Sequence, residues 1–380
     1  MTTNDNHFYL TIETPNQLQD LISKMKKASR IALDVEADSL HSYSEKVCLI
    51  QLAFGAQPYI LDPLCGMDLA EFLAVLNQKP LIVHGGDYDL RMLRLSFGFY
   101  PQQEVFDTML AAQLSGLPRL GLVDLVKQFC QVILTKKGQK TNWARRPLTL
   151  EQLAYASEDV RYLETIAQTL EEKLRQLQRK NWHAESCQRM VQISQVDREC
   201  DQTESWRIKG SNLLESKHLV FLRELWLWRE EEARKANRPV FKIFGHKELL
   251  EMSIAAAKPS SLQIPHYLRG SRLESLQKAL DKAQSIPPAQ WPVPLPRRGY
   301  SGPDCPKLIE ALRREYFQLA QNLGITPSIL ASKALLETIA IHRAQDVQQM
   351  INCSSIMHWQ AKLLEPIVQK VFSENLGEKM

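Results

Sequence analysis

A short apolar strand that runs directly into two carboxylates constrains the fold of this chain more than any other feature. Residues 31–33 are typical of a buried strand, and Asp34 and Glu36 follow at once. Side chains alternate along a strand, so the two acids share one face and Val35 lies on the other. Carboxylates roughly 7 Å apart, at about 3.3 Å rise per residue, repel each other unless a cation lies between them. The pattern therefore predicts a divalent metal site.

A second segment, residues 80–93, places another acid at the start of a helix. It reads as a short apolar strand, a Gly-Gly turn and a helix that begins near Asp87, with Leu90 and Leu93 on the buried stripe. Asp89 then lies in the first turn, where the positive end of the helix dipole favours a negative charge.

A third segment, residues 148–163, adds a tyrosine and an acid on one helix face. Thr149 has the character of a helix cap, and the apolar positions after it keep a helical period. Tyr155 and Asp159 are four residues apart, which is roughly 6 Å along the axis at about 1.5 Å per residue. We therefore expect both side chains to point the same way.

The acids and the tyrosine, in this order, resemble the DEDD superfamily of 3′–5′ exonucleases in its tyrosine-containing form, and within it the ribonuclease D family. Further matches are V-C-L-I-Q-L-A at 47–53, F-D-T at 106–108 and N-W-A-R-R-P-L-T at 142–149. The resemblance covers residues 8–180 and implies an α/β ribonuclease H-like exonuclease domain with a central mixed sheet. One departure is Asn142, where the family often has an aspartate, and this change concerns loop contacts rather than chemistry.

The resemblance also implies roles for the site residues. It implies that two Mg²⁺ or Mn²⁺ ions are held by four carboxylates, Asp34, Glu36, Asp89 and Asp159. Tyr155 would orient or deprotonate the attacking water. Hard oxygen ligands suit these ions, whereas a zinc site would use closely spaced Cys and His, a spacing that this sequence lacks. A metal pair about 3.5–4 Å apart activates the nucleophile and stabilises the leaving oxygen.

Two neighbouring polar residues receive structural interpretations. His84 follows an apolar strand and is interpreted as a hydrogen-bonded structural histidine. In the histidine-containing exonuclease form the base would stand shortly before Asp159, where this chain has Tyr155. Asp38 is interpreted as a solvated residue at a strand end or turn and not as a fifth ligand.

The loop before the Tyr155 helix is the candidate nucleic-acid surface. No acid occurs between Asp124 and Glu151, and basic residues crowd this stretch. They can hold the phosphates of a single strand, or they can form a solvated loop whose charge serves solubility. An aromatic residue among them offers a stacking surface for a base or anchors the loop to the core, and resemblance alone adds a leucine wedge. The candidates are Leu40, Lys136, Lys137, Lys140, Trp143, Arg145 and Arg146.

The second half of the chain is predicted to be helical. Residues 164–190 continue as a long polar helix, and residues 211–284 resemble an HRDC domain, the small helical module of ribonuclease D and RecQ-type helicases. A proline-rich spacer follows, and a helical segment after it echoes the first module, which favours a tandem repeat. The predicted fold is thus an exonuclease domain followed by two small all-α HRDC-like domains. The predicted boundaries are 1–180 for the exonuclease domain, 181–209 for a connector, 210–285 for the HRDC domain, 286–303 for the linker and 304–380 for the second HRDC-like domain.

Composition agrees with a globular enzyme. The 380 residues are 44% apolar and 24% charged, and the seven cysteines are scattered without a C-x-x-C pair, which indicates reduced thiols. Neither a leader segment nor a long apolar run is evident, so we expect a cytoplasmic protein with no membrane association and no obligate protein partner.

The resulting hypothesis is a metal-dependent 3′–5′ exoribonuclease that releases 5′-mononucleotides. RNA with a single-stranded 3′ end is the expected partner, and the family resemblance suggests tRNA precursors. The alternatives are a DNA 3′–5′ exonuclease, because the same catalytic core cuts either polymer, and a non-catalytic RNA-binding scaffold.

Overall fold

The computed structural model describes residues 9–55, 57–134, 138, 140–196, 204–258, 262–295 and 305–376. They divide into two compact units. The unit that we call the sheet unit comprises the described parts of 1–37, 47–196 and 300–380, and the helical unit comprises those of 38–46 and 197–299.

Six strands form one mixed sheet in the sheet unit, in the order β1-β4-β3-β2-β5-β6. The strands are β1 Leu10–Ile12, β2 Ile31–Ala37, β3 Val47–Phe54, β4 Gln57–Leu61, β5 Leu81–Val83 and β6 Val105–Asp107. β3 runs antiparallel to both β2 and β4, whereas the other neighbouring pairs are parallel. The predicted central mixed sheet is confirmed.

Helices cover both faces of this sheet. They are α1 Pro15–Lys27, α2 Ala70–Asn77, α3 Asp87–Phe97, α4 Thr108–Leu114, α5 Leu122–Cys130, α6 Leu150–Arg161, α7 Leu163–Gln176 and α8 Lys180–Gln195. Apolar residues of α1, α2 and α3 pack with Leu33 and Val35 on one face, while α4, α5 and α7 pack with Ala32 on the other. Because side chains alternate along β2, Asp34 and Glu36 belong to the face of Ala32.

The predicted long helix over 164–190 is wrong in one respect, because the chain forms two helices there. α7 ends at Gln176, Gln178 adopts a left-handed conformation with φ 58°, and α8 begins at Lys180. α8 buries His183 and Cys187 and belongs to the sheet unit, so residues 181–195 are part of that unit and not a connector. The helical period is correct on both sides of the break, but a single-residue reversal leaves no periodic signal.

The helical unit contains α9 Ser216–Lys235, α10 His246–Ala256 and α11 Ser271–Ser285. They enclose their own apolar core, to which Leu219, Leu225, Phe244 and Leu276 contribute. This is the region predicted as the HRDC domain.

Five further helices close the chain and belong to the sheet unit. They are α12 Cys305–Leu323, α13 Pro327–Leu330, α14 Lys333–His342, α15 Val347–Cys353 and α16 His358–Leu376. Leu312, Leu336 and Trp359 share one continuous core cluster with residues of α4, α5 and α7. The second predicted module, 304–380, is therefore joined to the sheet unit by a common core. Over the described residues, no helix combines the length and apolarity that crossing a membrane requires.

Candidate active site

Two elements bring three of the four predicted carboxylates together. β2 carries Asp34 and Glu36, and α6, which packs across β2 and β3, carries Tyr155 and Asp159. Oxygens of Asp34, Glu36 and Asp159 all lie within 4.8 Å of one another. α6 begins where the sequence predicts, because Thr149 accepts the N–H of Gln152 in a capping box. The structure thus joins acids that are more than a hundred residues apart in sequence.

Asp89 lies beside this cluster but outside the 4.8 Å group. It is buried in the first turn of α3, and its carboxylate accepts the backbone N–H of Val35. Electrostatic repulsion nevertheless links it to Asp34 and Asp159. The fourth predicted acid is therefore a near neighbour of the other three.

The Gly-Gly turn that introduces α3 needs both glycines. Gly85 has φ +67°, a left-handed conformation that side chains rarely adopt. At Gly86 a Cβ atom would lie 2.5 Å from a side-chain carbon of Val83, so no larger residue fits. The Gly86 N–H donates to Asp107 Oδ2 at 2.9 Å, which fixes the turn to the end of β6.

The carboxylates are held in a state that favours a cation. Burial first and mutual repulsion second raise the pKa of Glu36 to about 10 and that of Asp159 to about 8. The pKa values of Asp34 and Asp89 are also raised well above the ordinary aspartate range, again with burial as the largest cause. Over the described part of the chain, no salt bridge reaches Asp34, Glu36 or Asp159. Such a cluster lacks the positive charge that a bound divalent ion would supply.

Tyr155 is positioned as a hydrogen-bond donor. Burial raises the pKa of its hydroxyl above the ordinary value, and the neighbouring acids raise it further, beginning with Asp159. The hydroxyl is hydrogen-bonded to the Asp159 side chain. Gly138, with φ +125°, lies against the ring, since a Cβ atom there would be 3.1 Å from Tyr155 Cγ. Sequence reasoning missed this glycine, which lies among the basic residues of the preceding loop.

Gln51 is a second residue that sequence reasoning missed. It pairs with Asp34 across β2 and β3, so both side chains project from the same face of the sheet. Gln51 is 0% exposed, and among the described residues neither its amide oxygen nor its nitrogen has a hydrogen-bond partner. An orphaned amide beside a buried carboxylate fits a site that an ion and its water complete. A polar residue inside the apolar run of β3 was the available signal.

The basic loop is more structural than the sequence suggests. Trp143 is 1% exposed and packs with Leu49, Ala156 and the Tyr155 ring, so it anchors the loop and does not offer its face to a base. Arg146 donates to both carboxylate oxygens of Asp62, at 2.5 and 2.7 Å, and to the carbonyl of Cys48. Trp143 is a correction to the predicted nucleic-acid surface, because its ring is buried within the protein. The guanidinium of Arg146 is engaged with Asp62, but the residue is exposed, so its contact with nucleic acid stays a prediction.

The remaining candidates differ in what the structure describes. Lys140 and Arg145 are exposed on the loop, whereas Lys136 and Lys137 lie outside the described residues. In the helical unit, Leu40 is 42% exposed. Asp38 is 0% exposed and accepts hydrogen bonds from Ser42 and Lys46, so the prediction of a solvated residue is wrong.

A cavity of 440 Å³ opens above the acidic cluster. The lining combines acidic and apolar side chains with Tyr155. The lining residues include Asp34, Glu36, His84, Tyr88, Leu122, Val123, Leu134, Tyr155, Glu158 and Asp159. Acidic and apolar side chains in one cavity suit a substrate that presents a phosphodiester and a flat base together.

Two family models match the chain. A 3′–5′ exonuclease model matches residues 9–175, which contain the sheet and its acidic cluster. An HRDC domain model matches residues 218–264, which contain most of α9 and all of α10.

Curated relatives and solved structures extend this similarity. Ribonuclease D of Xanthomonas oryzae is 30% identical over 346 residues, covering 88% of this chain and 92% of that protein. Ribonuclease D of Desulfotalea psychrophila is 32% identical over 253 residues, covering 66% of this chain and 67% of that protein. The crystal structure of Escherichia coli RNase D shares the fold with a TM-score of 0.74 at 24% identity, covering 96% of this chain and 99% of that one.

Proposed function

This chain belongs to the ribonuclease D family, and on that premise we propose that it hydrolyses RNA 3′ ends with two divalent cations at the acidic cluster. The chain is a 3′–5′ exoribonuclease, as its sequence predicts. Mg²⁺ or Mn²⁺ would be held by Asp34, Glu36, Asp89 and Asp159.

The observation that carries this proposal is the approach of three half-buried carboxylates within 4.8 Å. Since burial and repulsion raise the pKa of Glu36 and Asp159, leaving them ionised together requires a compensating positive charge. Oxygen ligands of this kind favour Mg²⁺ and Mn²⁺ over softer metals.

The chain's own groups account for the rest of the reaction. When bound, a pair of divalent cations lowers the pKa of a water molecule and stabilises the leaving oxygen. The Tyr155 hydroxyl keeps its proton and orients the attacking water while it is held by Asp159. The water oxygen forms a bond to phosphorus as the bond from phosphorus to the 3′ oxygen breaks, and that oxygen takes up a proton. The product is a 5′-mononucleotide and an RNA shortened by one residue.

We propose that the substrate is an RNA with an unpaired 3′ end, and that tRNA precursors in the cytoplasm are its natural source. The acidic cluster lies in a cavity of 440 Å³, and an unpaired strand end enters such a cavity more readily than a duplex does. E. coli RNase D, which has the same fold, is described as an exoribonuclease involved in structured RNA processing. Exposed Lys140 and Arg145 are the proposed phosphate contacts on the loop.

Hydrolysis of matched oligonucleotides tests the function. We expect the protein to shorten 3′-extended tRNA and unstructured RNA from the 3′ end in Mg²⁺ or Mn²⁺, and EDTA to stop the reaction. Asp34→Asn should lower kcat by at least about a thousandfold, because removing one ligand of a metal pair disables the nucleophile. Product sizing by gel and mass spectrometry would identify the released mononucleotide.

Asp20→Asn, on the exposed face of α1, is the matched control and should retain full activity. Substantial hydrolysis by a folded Asp34→Asn protein in saturating metal would contradict the site. Preference for a DNA strand of the same sequence would identify a DNA exonuclease, and RNA binding without metal binding would identify a scaffold.

A further inference from the structure

His84 is the one imidazole in the lining of the catalytic cavity among the described residues, and its hydrogen bonds determine its tautomer. The Thr108 hydroxyl donates its single proton to the carbonyl of Val83 at 3.0 Å. His84 Nδ1 lies 2.9 Å from the same hydroxyl oxygen. Because that oxygen has already used its proton, it must accept from Nδ1, so Nδ1 carries the hydrogen.

A neutral imidazole with its proton on Nδ1 has an acceptor at Nε2. Burial lowers the pKa of His84, with Asp107 opposing the shift, so the ring is neutral near pH 7. Among the described residues Nε2 has no hydrogen-bond partner. His84 lines the cavity, and because Nδ1 is engaged with the buried Thr108, Nε2 is the ring nitrogen available to a bound molecule.

The cavity lining places His84 beside the acidic cluster. β5, which pairs with β2 through Ala32 and Ile82, ends at Val83, and His84 follows at once. His84 lines the same cavity as Asp34, Glu36 and Asp159. His84 is nevertheless not in the described group of metal-ligating atoms within 4.8 Å of one another.

A substrate group that pairs with this acceptor has to be a hydrogen-bond donor. The phosphodiester offers acceptors only, whereas the two riboses that flank the scissile bond carry hydroxyl donors. The terminal 3′-hydroxyl is common to RNA and DNA, and the 2′-hydroxyl, present on both riboses, distinguishes RNA from DNA. A site with an acceptor that pairs with a substrate hydroxyl discriminates strongly against an analogue that lacks it.

Building on the proposed function, we propose that His84 Nε2 accepts a hydrogen bond from the 2′-hydroxyl of one of the two nucleotides joined by the scissile bond. His84 is then a specificity-determining residue that selects RNA. It takes no part in proton transfer to or from the attacking water.

Single 2′-deoxy substitutions test this assignment. Oligoribonucleotides would carry one deoxynucleotide at the last, the penultimate or the fifth position from the 3′ end, and the first cleavage would be followed as kcat/KM. For the wild-type protein we expect a loss of about tenfold to a hundredfold at one of the first two positions, from one unsatisfied hydrogen bond. The fifth position should show no loss.

His84→Leu should react with the all-ribose substrate at about the wild-type rate for the sensitive deoxy substrate, and deoxy substitution should then cause no further loss. His84→Gln can present an acceptor at a similar reach and should keep part of the discrimination. Thr108→Val removes the hydroxyl that fixes the tautomer of the His84 ring, so it should reduce the discrimination between ribose and deoxyribose substrates. His342→Leu, an exposed histidine at the end of α14, is the matched control.

The inference is overturned if His84→Leu retains the wild-type ratio between ribose and deoxyribose substrates, or if the wild-type protein shows no sensitive position. Should His84→Leu fail the thermal unfolding check, the His84→Gln and Thr108→Val ratios decide the question, since unchanged ratios in both contradict it. Failure of the wild-type protein to cleave any RNA in Mg²⁺ or Mn²⁺ would instead contradict the proposed function.

Discussion

Asp159, a proposed metal ligand, carries a pKa shift that links the stability of the metal-free protein to pH. Burial and repulsion from Asp34 raise its pKa from 3.8 to about 8. The folded state therefore binds the proton more tightly than the unfolded state does. The stabilising effect of that proton is complete below pH about 4 and is lost as the pH rises through about 8. A cation that neutralises the cluster should restore the stability that is lost when the proton dissociates.

We predict that Asp159→Asn raises the free energy of unfolding of the metal-free protein at pH 8 by roughly 1–3 kcal/mol, because it removes a buried charge. At pH 4.5 the gain should largely disappear. Urea denaturation in EDTA at both pH values measures this, with the exposed Asp20→Asn as control. A destabilised Asp159→Asn protein at pH 8 would show that the carboxylate is compensated by a group other than a metal.

Between elements, the Asp107 side chain forms hydrogen bonds to both the start of α4 and the turn before α3. Asp107 ends β6, and its Oδ1 accepts the N–H groups of Met109 and Leu110 at the start of α4. Its Oδ2 accepts the N–H of Gly86 in the turn before α3. Asp107 thereby ties the helix cap to the turn between His84 and Asp89. The F-D-T motif identified the helix start, but the sequence contains no signal for the bond to Gly86.

Two substitutions of Asp107 should separate its role in capping α4 from its role in holding the Gly86 turn. We predict that Asp107→Ala lowers stability by roughly 2–4 kcal/mol, from a lost cap and an unpaired buried N–H. Asp107→Asn retains an oxygen for the α4 cap but turns an amide nitrogen toward the Gly86 N–H. We therefore expect it to lose less stability than Asp107→Ala does. Its loss of kcat should be large relative to its loss of stability. Thermal unfolding and single-turnover hydrolysis, compared between the two variants, check this. Equal losses of kcat and stability in both variants would contradict a separate role in the turn.

At the scale of the whole molecule, a buried arginine joins the last helices of the sheet unit to the rest of that unit. Arg179 is 7% exposed and donates to the carbonyls of Leu114 and Leu323, each at 2.6 Å. These carbonyls end α4 and α12, whose negative dipole ends favour a cation. Just after α4 and α12, Gly116 and Gly324 approach closely, because a Cβ atom at Gly116 would be 2.3 Å from the carbonyl oxygen of Gly324.

We predict that Arg179→Met loosens α12–α16 from the sheet and lowers stability by roughly 2–3 kcal/mol, because two carbonyls lose a charged donor. Arg179→Lys should retain only part of the wild-type stability, since a single ammonium group lacks the planar guanidinium that donates to both carbonyls. Hydrogen exchange should show reduced protection in α12 and α16, and exposed Arg175→Met in α7 is the control. Uniform loss of protection across the sheet would contradict a role at this junction.

Much of the site was predictable from local patterns, as Asp34, Glu36, Tyr155 and Thr149 show. Each depends on alternation, helical period or capping, which act over a few residues. Trp143 was misassigned because composition does not reveal whether a loop side chain points outward or inward. The burial of Gln51 beside Asp34 required the pairing of two strands.

Local patterns in the sequence were enough to predict β2 with Asp34 and Glu36 on one face, and α6 with Tyr155 and Asp159 one turn apart, because backbone geometry sets these features within single elements. Only the tertiary structure decided which oxygens approach within 4.8 Å. It also decided that Asp89 stands outside that group, that His84 lines the same cavity as the acids and that the last helices share a core with the sheet. These features arise from contacts between segments far apart in the chain, whose distances and desolvation no local pattern encodes.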